Sequence, residues 1–157
     1  MPQVSVESIA KALKKVDQLD EDGLDRLIET YTLKQEALVN YILAAGYEYE
    51  NEDLNVFSIY YFALVYEAFY QQGITLKTIT DEMIEEFQDP FVMALDELNK
   101  NEDFEPLQDL INQHNLLNFM TEEIESEDSD GIVLDEDTQT QLFIVTTSMI
   151  GLMNAAT

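Results

Sequence analysis

The sequence predicts an all-α chain, a compact bundle of about six to seven helices. Two observations carry that prediction. Apolar residues recur at i, i+3, i+4 and i+7 through most of the chain, the spacing of one helix face. No segment alternates convincingly with period two, so no sheet is expected. A chain of 157 residues is also long enough to bury a substantial core as one domain, 1–157.

The first helix is expected over Val6 to Val16. Ser5 is its N-cap, and Val6, Ile9, Ala10, Leu13 and Val16 form its apolar stripe. An acidic break, Asp17 to Gly23, leads into a long second helix from about Asp22 to Ala45, with Gly46 as its stop. A third helix follows from about Leu54 to Gln72 and ends at Gly73. It has no charge between Leu54 and Tyr66, and aromatics lie on every side. A helix apolar all round belongs at the centre of a bundle.

The fourth helix should start near Thr80 or Asp81 and end near Gln88. Asp89-Pro90 should restart the chain as a fifth, carrying Phe91, Val92, Leu95 and Leu98. A sixth is expected from Glu105-Pro106 to about Ile124. Residues 125–137 read as an acidic loop around Gly131, with seven acids among thirteen residues. The last helix should begin near Asp135 and lie centrally with the third. Gly73–Thr78 and Ile132–Leu134 are the strand-like candidates. Gly46 and Gly73 end two apolar helices, but one such echo does not make a repeat array.

Charge is the outstanding property: 33 acids against 7 bases, net −26. Three of the six lysines, Lys11, Lys14 and Lys15, fall in the first helix, and Arg26 is the one arginine. Direct binding to nucleic acid or anionic lipid needs a basic surface and is excluded. A basic protein partner, a cation or plain solubility is favoured. With 46% hydrophobic residues at helical spacing, disorder does not follow from the charge. The chain has no cysteine, hence no disulfide and no thiolate metal site. Its first residues, Met1-Pro2-Gln3-Val4-Ser5, have neither the basic nor the apolar region of a secretory signal, so a cytoplasmic protein is expected.

Catalysis is not expected. His114 is the single histidine and sits among helical residues, where a structural role is the ordinary one. The Glu-x-x-His pairs of di-iron bundles are absent. Glu82/Glu85 and Glu122/Glu125 resemble the first half of the motif of helical pyrophosphohydrolases, but the second half is not at a fitting distance. The stretch Thr138 to Thr157 has no charge, yet its many Thr, Ser, Gln and Asn residues point to a buried helix or a homodimer interface rather than a membrane anchor.

Two candidate sites remain. Residues 126–137 place Ser126, Asp128, Asp130, Gly131, Val133 and Asp137 at positions 1, 3, 5, 6, 8 and 12 of an EF-hand-like loop. Calcium is the one cofactor this implies. Ser126, Leu134 and Asp137 depart from the pattern, as a weak ligand, a non-ligand and a short one. The preferred site is the run Asp81, Glu82, Glu85, Glu86 and Asp89, in two adjacent columns on one helix face opposite Ile84 and Phe87. Such a helix carries one carboxylate per about 3 Å of rise, against one phosphate every 3.4 Å along a DNA strand. In character, though not in any motif, the chain resembles small acidic helical proteins that mimic DNA and acidic immunity proteins that block nuclease toxins. The expected function is therefore a non-enzymatic acidic protein that binds a basic protein surface.

Overall fold

A computed structural model describes residues 3–126, 131 and 133–157. Among them lie eight helices and no strand: α1 (Val6–Asp17), α2 (Glu21–Lys34), α3 (Glu36–Glu48), α4 (Glu52–Gln71), α5 (Asp81–Asn101), α6 (Glu105–Ile111), α7 (His114–Glu125) and α8 (Glu136–Ala155). Several start at a side-chain cap. Ser5, Asp20, Asn51, Thr80 and Asp135 each accept the backbone N–H three residues on. That satisfies an amide left unpaired at every helix start.

The expected second helix is two helices. Gln35 leaves helical geometry at φ −138°, ψ 50° and separates α2 from α3. Its side chain is buried, and its Nε2 donates to the Lys77 carbonyl (2.9 Å) while its Oε1 accepts the Ile79 N–H (2.8 Å). Buried backbone groups need partners, and the break puts this amide where an extended segment requires one. The expected sixth helix breaks in the same way. Asn112 takes a left-handed φ of 53°, and buried Gln113 accepts the Val4 N–H (2.9 Å) and donates to Asn154 Oδ1 (2.8 Å). His114 is therefore the first residue of α7, exposed, with its N–H donated to Gln3 Oε1.

Two further expectations are corrected. Gly46 does not stop α3; it is buried inside it, and a Cβ there would lie 2.0 Å from Asn55 Oδ1, so glycine permits the close approach of α3 to α4. Pro90 does not divide α5. Ile84, Phe87, Phe91 and Ala94 continue one buried stripe past it, and Pro90 itself is exposed. Gly73 does end its helix, at φ +80°.

The two 20-residue helices, α4 and α8, are central. α4 packs on α1, α2, α3 and α8; α8 packs on α3, α4, α5, α6 and α7. The arrangement is a duplication in structure. Each half of the chain has an extended leader, a first helix, a helix pair broken at a buried glutamine, and a 20-residue helix. Counted from the caps Asn51 and Asp135, every buried residue of α4, from Leu54 to Phe69, has a buried counterpart in α8. Counted from Gln35 and Gln113, buried Leu38, Val39, Ile42 and Gly46 match Leu116, Leu117, Met120 and Ile124. Counted from Ser5 and Thr80, Val4, Ile9, Ala12 and Val16 match Ile79, Ile84, Phe87 and Phe91. The leaders are exchanged: Val4 of the first half bonds Gln113 of the second, and Ile79 of the second bonds Gln35 of the first.

Candidate functional site

The acidic face of α5 is built by its cap and its buried stripe. Thr80 Oγ1 accepts the Met83 N–H (3.2 Å), which sets where the helix begins. Ile79, just before it, is anchored on Gln35. Ile84 and Phe87 then point inward, which turns Asp81, Glu82, Glu85, Glu86 and Asp89 outward, and all five are exposed. Asp81 and Glu82 also sit in the first turn, where the helix dipole favours negative charge. Among the described residues, none of the five forms an ion pair; side-chain ion pairs occur as Lys11–Glu7 and Lys15–Glu67. The face is a row of exposed carboxylates with no ion pair among the described residues.

The calcium-loop candidates are not brought together by what is described. Asp128 and Asp130 lie outside the described residues. Ser126 Oγ donates to the Glu123 carbonyl (2.8 Å), and Asp137 is exposed in the first turn of α8. Among the described residues no group of three or more His, Cys, Asp or Glu side chains is placed to hold a metal ion. The uncharged C-terminal stretch is the buried helix α8, and no described helix is long and apolar enough to cross a membrane.

The sequence reading missed a buried polar cluster. Glu67, on α4, is fully buried, and Lys15 Nζ meets its Oε1 at 2.6 Å. The Tyr31 hydroxyl donates to its Oε2, and Gln71 Nε2 donates to Oε1 (2.9 Å). Lys15 also lies over the Tyr70 ring, 5.5 Å from its centroid. Burial pushes the Glu67 carboxyl up, but the bonds from Lys15, Tyr31 and Gln71 outweigh it and hold the group below the ordinary carboxylate range. The Tyr31 phenol is driven well above its usual value by burial and then by Glu67. One signal was available: a lone carboxylate late in a helix apolar on every side has to be buried, and so needs a cation.

A second acidic group gathers where α1, α4 and α7 meet. The Tyr60 hydroxyl donates to Asp17 (3.5 Å). Burial and the nearby Glu123 push the Tyr61 phenol up to about 12. Glu123 itself is raised by burial and by Asp17.

Comparison with protein families, with curated proteins and with solved structures finds no match for this chain.

Proposed function

We propose that this chain is a non-enzymatic, cytoplasmic, acidic interaction protein. It docks on a basic surface of a partner protein as an inhibitor, nucleic-acid mimic or immunity-type factor. The observation that carries the reading is the α5 face: five exposed carboxylates in two columns, without an ion pair among the described residues, on a chain of net charge −26. A net charge magnitude of about 2–8 suffices for solubility, and the excess opposes compaction by self-repulsion. A basic partner relieves that repulsion, and opposite potentials steer the encounter.

The test is capture from the host's lysate at low salt, followed by a salt gradient. One basic protein should leave in stoichiometric amount at a defined step, because exposed charge pairs are screened within about 8 Å at physiological ionic strength. The triple variant Glu82→Gln, Glu85→Gln, Glu86→Gln should release it at lower salt. A smear of unrelated basic proteins, or a partner indifferent to the triple variant, would refute the assignment to this face.

A further inference from the structure

The duplicated halves carry the same furrow on their central helices, and the two are lined differently. On the second half it is a pocket of about 430 Å³ lined by Leu98, Phe104 and Phe143, with the Phe104 and Phe143 rings 6.4 Å apart, and by polar Thr121, Gln139 and Thr140. On the first half the furrow between α2, α3 and α4 forms a groove of about 610 Å³ lined by Leu24, Ile28, Leu43, Val56, Ile59 and Tyr60. Counted from the helix caps, Val56 stands where Thr140 does; counted from the glutamine breaks, Leu43 stands where Thr121 does. Val56 is 70% exposed and Leu43 37%, and Tyr47, one turn beyond Leu43 on α3, is 87% exposed. The fold thus tolerates polar residues at these positions, and the first half places aliphatic ones in water. An apolar patch of that kind marks an interaction surface.

The surroundings of the groove decide what fits it. Asp25 lines it, and exposed Glu52 and Asp53 lie one turn before Val56 on α4. At the Tyr60 end stand Asp17 and Glu123. Arg26, beside Asp25, is the one base on α2 before Lys34. An apolar trough with acids at both ends complements a helix with one apolar face and lysine or arginine at its edges. A second copy of this chain would bring another −26 to the contact, and an anionic lipid surface would be repelled.

We infer that the groove between α2, α3 and α4 is a docking site for the apolar face of a basic amphipathic helix from another protein. No residue of α5 lines it, so the inference stands independently of the α5 reading.

The probe is a fluorescent peptide of about 18 residues, five helical turns, with leucines at i, i+3, i+4 and i+7 and lysines beside them. Its anisotropy is titrated with the full chain at physiological ionic strength. The variant Leu43→Ser/Val56→Ser should weaken binding at least about tenfold, which corresponds to losing one buried aliphatic contact. Val56→Ser alone, at a more exposed position, should weaken it in the same direction and guards against misfolding of the pair. The triple α5 variant should leave binding within about twofold, and a peptide of the same composition with its leucines scattered around the helix should bind as poorly as the groove variant does. Unchanged affinity in both groove variants, equal binding of the scattered peptide, or loss confined to the α5 variant would each overturn the inference. So would a homodimer, seen by light scattering, that the groove variants dissolve, since the occupant would then be a second copy. Loss of peptide binding on the groove variants together with a failed lysate capture would sink the α5 reading and leave this one standing.

Discussion

The two halves of the chain solve one packing problem with opposite chemistry. Counted from the caps Asn51 and Asp135, Glu67 on α4 and Gly151 on α8 hold the same position, and both are buried. The partners follow. In the first half the position that corresponds to Phe87 is small, buried Ala12, and the buried Glu67 carboxylate is bonded by Lys15, Tyr31 and Gln71. In the second half Phe87 takes the place of Ala12 and closes on Gly151, where a Cβ would lie 2.7 Å from its ring and 2.6 Å from Ile111. Between α1 and α5, α3 and α7, and α4 and α8 the burial pattern is for the most part what the two halves share, while the residues filling it are exchanged as matched sets; α2 and α6 differ, with Tyr31 buried where Asp109 is exposed. Close packing demands that match, since interiors have few voids to absorb a change of volume.

The largest test of this comparison is Phe87→Ala, which gives the second half the residue of the first without its carboxylate. Opening a cavity over Gly151 should cost about 3–5 kcal/mol in urea unfolding. A cost below about 1 kcal/mol would mean that the two cores repack freely and are not matched sets.

Next comes Lys15→Met, which leaves the Glu67 charge buried with Tyr31 and Gln71 alone. Removing one partner of a fully buried pair costs about 3–5 kcal/mol. Lys15 is 43% exposed, so about 2–3 kcal/mol is expected here. The pH dependence has a defined sign. The Glu67 carboxyl is lowered in the folded state from its ordinary value of 4.5, so the unfolded chain takes up its proton first. Its contribution is present above pH 4.5 and is lost as pH falls through the folded value. Unfolding midpoints of the wild type and Glu67→Gln, measured from neutral pH downward, should converge in acid. A constant gap would mean that Glu67 is not ionised in the fold.

The smallest effect sharpens the symmetry itself. Gln35→Leu and Gln113→Leu each strip a buried backbone N–H of its acceptor, at Ile79 and Val4 respectively. Each should cost about 1–3 kcal/mol, and hydrogen exchange should speed up at the leader belonging to the other half. Exchange that quickens instead within the half carrying the mutation would contradict the exchanged leaders.

Much of this architecture was legible in the sequence. The α1 boundaries, the Ser5 cap, the stop at Gly73 and the central α4 and α8 all follow from local spacing. So does the outward turn of Asp81, Glu82, Glu85, Glu86 and Asp89, because a helix face is a property of i+4 periodicity. What was not legible depends on distant partners. Gln35 and Gln113 are good helix formers by propensity, and they leave the helix because the leaders need their amides. Gly46 reads as a stop until Asn55 is placed against it. Pro90 reads as a break until the stripe beyond it is packed. The duplication is not legible in the sequence because burial repeats while residue identity does not: Thr146, Thr147 and Ser148 are as buried as their counterparts Phe62, Ala63 and Leu64. Of the sites, the open groove and the Glu67 cluster needed the assembled helices, since each draws residues from three of them.

The exchange of leaders also bears on how the molecule is made. A chain leaves the ribosome N-terminus first, and the Ile79 leader follows α4 closely enough to meet Gln35 as soon as it emerges. The Val4 leader waits much longer, because its acceptor on Gln113 lies 109 residues downstream. Until then a bond within its own half holds it, from the Ser5 N–H to Gln72 Oε1 (2.8 Å). Contacts of such long sequence separation form late and slowly. The leader of the first half is thus among the last segments to be secured, and the nascent first half remains unlatched until most of the second has been translated.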